Sequence, residues 1–257
     1  IVGLAVLFGG GAASYLSRLL GAKDKEQANH VASTALYSSL SIAAIMIVII
    51  VAFMRQILYA LGTTDTIYPY AREYAMIYVI SSIFNIFNVT MNNIASSEGA
   101  AKVSMTAMLL GAGLNVIFDP IFIYGFHTGI AGAAIATALA QAITTVMYLF
   151  YILKKRSVFS FSPKEFRFDK TIYGEIFKVG IPTLAFQLAA SIAIGFTNAA
   201  AKEYGDAAIA AMGIVTRIIS MGIYAVSGFA KGFMPIAGYN YGAKQYHRVQ
   251  EATKTGL

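Results

Sequence analysis

The sequence predicts an all-α, multi-pass membrane protein, and three observations carry this prediction. Apolar runs recur along the chain, and each is long enough to cross a bilayer as a helix. Of the 257 residues, 58% are apolar and only 12% are charged, whereas average proteins carry roughly 25% charged residues. Most Lys and Arg residues fall on one side of the predicted spans, as in membrane proteins with a positive cytoplasmic face.

We predict seven spans from the apolar runs. The first ends near Leu20, and the others cover about 32–54, 74–96, 103–124, 130–153, 180–201 and 207–237. Runs of this length favour helices over barrel strands. Residue 1 lies inside an apolar run, and the last residues end where another segment could begin, so we expect a fragment cut at both ends.

The distribution of positive charge orients these spans. With the turn after the first span, 21–25, in the cytoplasm, 14 of the 19 Lys and Arg residues are cytoplasmic and 3 are external, while Arg217 and Lys231 lie within the last span. This bias supports insertion in the cell (inner) membrane. It also explains the net charge of +7 without a nucleic-acid partner.

One long polar connector, 154–172, falls on the cytoplasmic side. Basic residues alternate there with four phenylalanines, Phe159, Phe161, Phe166 and Phe168. We expect this connector to lie on the anionic inner leaflet. Binding of a regulatory partner is the alternative.

Two stretches that begin at Gly21 and Gly242 indicate an internal repeat. Aligned without gaps over 16 residues, they share Gly, Ala, Lys, Thr and Leu at an offset of 221. Six spans separate them, and an even number places both copies on the same side. We therefore predict a parallel six-span repeat, a known transporter design. The seven spans then correspond to spans 2–8 of twelve.

Four motifs carry a resemblance to a known family. They are Gly21-Ala-Lys23, Asn115-Val-Ile-Phe-Asp-Pro120, Gly129-Ile-Ala-Gly-Ala-Ala-Ile-Ala-Thr137 and Pro235-Ile-Ala-Gly-Tyr-Asn-Tyr-Gly-Ala-Lys244. With these motifs, the chain resembles the multidrug and toxic compound extrusion (MATE) transporters of the bacterial multidrug-efflux branch along most of its length. One position departs from the pattern, because the family often has Gln where Lys231 stands.

The resemblance implies a twelve-helix, two-lobe antiporter that exports drugs and organic cations in exchange for Na⁺ or H⁺ by alternating access. Residues 1–153 would form the N-lobe without its span 1, 154–172 a cytoplasmic linker, and 173–257 the start of the C-lobe. We expect small-molecule substrates, contact with membrane lipid, no cofactor besides the coupling ion, and a monomer when full length.

Asp119 is the strongest candidate for chemistry. Of the 12 carboxylates it alone lies well inside an apolar span, where an ionisable group is costly and marks function by default. Asn115 lies one turn earlier on the same face, and Pro120 removes a backbone donor and bends the helix. Carboxylate and amide oxygens suit a hard cation. A structural role for Asp119, as a cap or a helix bridge, is the alternative.

The resemblance extends this candidate cation site. It implies that Thr137, Asn92 and an Asp in span 1, upstream of residue 1, complete the set around Asp119 and Asn115. No metal is expected beyond Na⁺ at Asp119. The resemblance also implies a central substrate cavity, and we place four residues on its helices: Asn88, Gln187, Asn198 and Met212. Packing between helices is the alternative for each of the four.

The remaining features argue against an enzyme. No phosphate-binding loop, zinc-protease motif or nucleophile elbow occurs in the sequence. Arg217 is expected to stabilise helix packing, and Lys231 to extend towards the cytoplasmic interface. Two alternatives to an antiporter stay open, namely a flippase for a lipid-linked saccharide and a channel or membrane scaffold.

Overall fold

A computed structural model of the protein describes residues 2–60, 65, 68–202 and 206–256. These residues form nine α-helices and no strand: α1 (Val2–Gly21), α2 (Lys25–Ala52), α3 (Met54–Ala60), α4 (Tyr68–Ser97), α5 (Ala101–Pro120), α6 (Gly129–Leu153), α7 (Lys170–Lys202), α8 (Asp206–Gly242) and α9 (Tyr246–Gly256). A π-helical turn, Ile121–Gly125, continues α5. Seven of the helices are long and apolar enough to cross a membrane, which confirms the predicted number.

Several helices begin earlier than the apolar runs suggested, because polar first turns are also helical. The Asp24 side chain caps α2 by accepting the backbone N–H of Gln27 at 3.1 Å, so this helix starts at Lys25. Helix α7 starts at Lys170, so the last residues of the predicted connector already belong to its first turn. The short helix α3 was not predicted.

Helix α1 is the centre of the packing. It contacts α2, α4, α7 and α8, and Phe8 and Leu16 are almost completely buried in the main apolar cluster. The hydroxyl of Ser17, also buried, donates to the carbonyl oxygen of Ser97 at the end of α4 at 3.3 Å. At the same end of α1, Arg18 forms an ion pair with Glu175 of α7 at 2.6 Å.

The internal repeat is visible in atomic detail where α1 crosses α8. A Cβ on Gly21 would overlap the carbonyl oxygen of Tyr239, and a Cβ on Gly242 would overlap that of Arg18. These two contacts exchange positions under the predicted offset of 221 residues, as expected for an approximate two-fold axis through the crossing. Glycine is required at both positions because the backbones themselves are in contact.

The turns that follow the two glycines also match. Lys23 and Lys244, which the offset relates, both have a left-handed backbone, with φ of 62° and 59°. The N–H of Lys23 donates to the carbonyl of Leu20 at 3.1 Å, and the N–H of Lys244 donates to that of Tyr241 at 3.0 Å. Helix α9 follows the second turn as α2 follows the first. The two copies of the repeat therefore share backbone structure also where their residues differ.

The connector corrects one expectation, because it docks on the helix bundle instead of lying only on lipid. Phe159 is 5% exposed and joins the main core cluster. The hydroxyls of Ser33 and Tyr37 on α2 donate to the carbonyls of Ser160 and Phe161, each at 2.8 Å. These hydrogen bonds satisfy connector carbonyls that would otherwise need water.

Candidate functional site

Three predicted residues meet where α5 and α6 face each other. The amide nitrogen of Asn115 donates to Asp119 Oδ1 at 3.3 Å and to Thr137 Oγ1 at 3.1 Å. The Thr137 hydroxyl donates to the carbonyl of Ala133, one turn earlier in α6, at 3.0 Å. Asn115 and Asp119 therefore share a face, as their spacing predicted. The group presents a carboxylate, an amide oxygen and a hydroxyl oxygen, a donor set that suits a hard cation.

The backbone beside this group is irregular. Helix α5 ends at Pro120, and the following turn, Ile121–Gly125, is π-helical. Pro120 has no N–H to donate, which interrupts the α-helical hydrogen bonds at this point. The hydroxyl of Thr128, just before α6, donates to the carbonyl of Phe122 at 2.6 Å and holds the turn in place. Turns of this kind are frequent at functional sites.

Asn115 and Thr137 line a cavity of about 370 Å³ between α4, α5, α6 and α8, and amide groups project into its otherwise apolar walls. Its walls carry an unusual number of amides: Asn85, Asn88, Asn92, Asn93, Asn115 and Gln141. The hydroxyl of Thr144, the phenol of Tyr148 and the side chain of Lys231 also line it. Such a wall offers both donors and acceptors, and can hold water or a polar ligand group.

Asn92 lies in this cavity but does not contact Asp119 through a hydrogen bond. Its amide nitrogen donates to the carbonyl of Ser104 at 3.3 Å and to the hydroxyl of Tyr148 at 3.2 Å. The structure therefore brings together three of the four predicted cation-site residues and places the fourth on another wall. The role of all four in binding a cation stays a prediction.

The four predicted substrate-cavity residues are placed differently from one another. Asn88 lines the smaller cavity, but it also joins α4 to α6. Its amide nitrogen donates to Gln141 Oε1 at 2.7 Å, and its oxygen accepts from Thr145 at 3.0 Å. Gln187 and Met212, which lie on α7 and α8, line neither of the two cavities described here. The side chain of Asn198 lies outside the described residues.

A second, larger cavity of about 1110 Å³ lies between α8 and the adjoining ends of α4 and α5. Its lining is mainly apolar and aromatic, with Met105, Met108, Tyr224 and Tyr239 among its residues. Lys231 lines both cavities. Arg217, the other cation predicted to lie within the last span, lines neither.

Glu98 directly follows α4 and lines the larger cavity. Its carboxylate accepts from the Tyr151 hydroxyl at 2.6 Å, the Ser157 hydroxyl at 2.8 Å and the backbone N–H of Val158 at 2.7 Å. Burial raises the pKa of the Glu98 carboxyl, and these hydrogen bonds only partly offset that effect. Glu98 thereby fixes the start of the connector to the end of α4.

Sequence reasoning missed Gln141, Tyr148, Glu98 and the cavity-facing position of Lys231. A usable signal existed for the cavity itself. Asn85, Asn88 and Asn92 recur at helical spacing within an apolar span, which indicates one polar face on α4. Glu98 gave no signal, because its partners come from α6 and the connector. Among the described residues, no group of three or more His, Cys, Asp or Glu side chains could hold a metal ion.

Nearly the whole chain is similar in sequence to known proteins. The multidrug export protein MepA of Staphylococcus aureus (strain NCTC 8325 / PS 47) is 35% identical over 249 residues, which cover 95% of this chain and 54% of that protein. MepA of Staphylococcus haemolyticus (strain JCSC1435) is 34% identical over 235 residues, covering 91% and 52%. The chain thus spans about half the length of the curated relatives it matches.

Solved structures give the same result at the level of the fold. An outward-facing multidrug resistance MATE family transporter of the MOP superfamily superimposes with a TM-score of 0.92 at 31% identity, covering 99% of this chain and 57% of that one. The MatE family model matches residues 1–121 and 176–257. This chain therefore belongs to the MATE family of multidrug efflux transporters.

Proposed function

We propose that this chain is part of a secondary active antiporter that exports small-molecule drugs and organic cations in exchange for Na⁺ or H⁺. The observation that carries the proposal is the Asp119 group. A single carboxylate within an apolar span accepts a hydrogen bond from Asn115, which also donates to Thr137. The group lies beside a broken helix. The MepA relatives are named as multidrug export proteins, which supports small-molecule substrates.

The proposed mechanism begins with the charge on Asp119. A cation or proton that binds there neutralises a carboxylate whose ionised form is costly in the membrane. Neutralisation weakens the attraction between Asp119 and the amide of Asn115. That amide also donates to Thr137 on α6, so the change reaches the contact between α5 and α6. The π-helical turn gives α5 a place to adjust, because its backbone hydrogen bonds are already irregular.

The lobe assignment belongs to the same proposal. Residues 1–153 would contribute to the N-lobe, 154–172 would be a cytoplasmic linker, and 173–257 would begin the C-lobe of a protein in the cell membrane. The Arg18–Glu175 ion pair and the glycine crossing of α1 and α8 then join the two lobes at their cytoplasmic ends. Alternating access would require these contacts to loosen when the cytoplasmic side opens.

The test uses the full-length protein that contains this chain, reconstituted in vesicles with an imposed Na⁺ or H⁺ gradient. Asp119→Asn keeps the size of the side chain but removes its charge, and we expect gradient-driven dye efflux to fall at least about tenfold. Asp24→Asn is the matched control, because Asn caps a helix as well as Asp does. Efflux by Asp119→Asn equal to that of the control would contradict the proposal.

A flippase for a lipid-linked saccharide is the second candidate, and Lys231 is the observation that favours it. A cationic side chain in the larger cavity could bind the phosphate of such a lipid carrier. Transfer of a fluorescent phosphate-linked lipid between leaflets, independent of any ion gradient and unaffected by Asp119→Asn, would support the flippase over the antiporter.

A further inference from the structure

Lys231 lies deep in the span and not at its end. It precedes the last residue of α8, Gly242, by 11 positions, which corresponds to about 16 Å along a helix. An ammonium group at such depth is costly unless a cavity or a partner accommodates it. The side chain of Lys231 is exposed and faces both cavities.

Lys231 forms no ion pair in the part of the protein that the structure describes. The ion pairs found there involve Arg18, His30 and Lys178 instead. Glu98 is the one acidic residue that lines either cavity among the described side chains, and its oxygens already accept three hydrogen bonds from α6 and the connector. Among the described residues, Lys231 is therefore a cationic side chain that lines both cavities and makes no ion pair.

The surroundings of Lys231 suit an amphiphilic ligand. Met105, Met108, Tyr224 and Tyr239 give the larger cavity adaptable thioether surfaces and aromatic faces. Its volume of about 1110 Å³ slightly exceeds the usual range for pockets that hold drug-sized ligands, so a ligand of that size has room. A ligand with an apolar, aromatic body and one acidic group would place that body on these walls and its charge on the ammonium.

We propose that Lys231 is a specificity-determining residue that binds the carboxylate of an amphiphilic substrate. This inference rests on the proposed export function, and it narrows the substrates from organic cations in general to molecules that carry an acidic group. A substrate with a second positive charge and no acid is disfavoured, because it would bring a like charge into the cavity.

The test compares two dyes that share a chromophore. Rhodamine 110 carries a free carboxyl group, and rhodamine 123 is its methyl ester. We expect the purified full-length protein to bind the acid about tenfold more tightly than the ester. Lys231→Gln should abolish this preference by weakening the acid alone, whereas Lys231→Arg should keep it. Arg217→Gln is the matched control on α8 and should leave both affinities unchanged.

Two results would overturn the inference. One is equal binding of acid and ester by the wild-type protein, and the other is an equal loss of both dyes in Lys231→Gln, which would indicate a structural role. Efflux driven by an ion gradient is measured separately on the same preparations. A protein that distinguishes the dyes but transports neither would refute the proposed antiport and leave the binding role of Lys231 supported.

Discussion

At the scale of single residues, Glu98 links burial to stability. Its carboxylate is enclosed by α6 and the connector, and burial raises the pKa above the ordinary value of 4.5. The folded protein therefore binds this proton more tightly than the unfolded chain does. The resulting stabilisation is complete below the unfolded pKa and is lost as the pH rises through the folded pKa.

The pH dependence of stability tests this effect. As the pH rises from about 4.5 through the raised pKa of Glu98, we expect the Tm of the full-length wild-type protein to fall relative to that of Glu98→Gln, which cannot titrate. Glu251→Gln, an exposed change on α9, is the control and should follow the wild-type profile. The same pH profile in Glu98→Gln and in the wild type would show that Glu98 does not contribute in this way.

At the scale of elements, the connector should stabilise the bundle through Phe159. This side chain is 5% exposed, whereas Phe168 in the same connector is 88% exposed. We expect Phe159→Ala to lower the free energy of unfolding by about 3–5 kcal/mol, because it leaves a cavity in the core. Phe168→Ala should change it by less than about 0.5 kcal/mol.

Thermal or denaturant unfolding of the full-length protein in detergent would measure both variants. A connector that lay only on lipid would make the two phenylalanines equivalent. Equal effects of the two substitutions would therefore indicate that the connector lies on the membrane surface, and would contradict its docking on α2 and α4.

The elements also show where sequence reasoning succeeds and fails. The number of spans followed from apolar runs, and the shared face of Asn115 and Asp119 followed from their spacing of four residues. Pro120 predicted a bend but not a π-helical turn, because that turn depends on Thr128, which donates to Phe122 from outside α5. The position of Lys231 in the cavities could not be predicted either, since it depends on how α8 packs against α4 and α5.

At the scale of the whole molecule, the crossing of α1 and α8 should be sensitive to a single methyl group. We expect Gly21→Ala and Gly242→Ala each to destabilise the full-length protein by about 1–3 kcal/mol, because the added Cβ meets a backbone carbonyl that cannot move aside. The double variant should cost less than the sum, since both changes open one crossing.

Gly174→Ala is the control for this pair. Gly174 is an exposed position on α7 with no atom near its Cβ direction, so alanine should be neutral or stabilising by about 0.5–1 kcal/mol. Comparable unfolding temperatures for all three single variants would mean that the two repeats do not meet through these glycines.

The most direct test of ion-coupled export is countertransport by the full-length protein in sealed vesicles. A substrate gradient is imposed with no ion gradient, and the movement of Na⁺ and H⁺ is recorded. An antiporter that uses Asp119 predicts cation flow opposite to the substrate, absent without substrate and absent in Asp119→Asn. Cation flow without substrate, as in a channel, or substrate flow with no cation movement would contradict it.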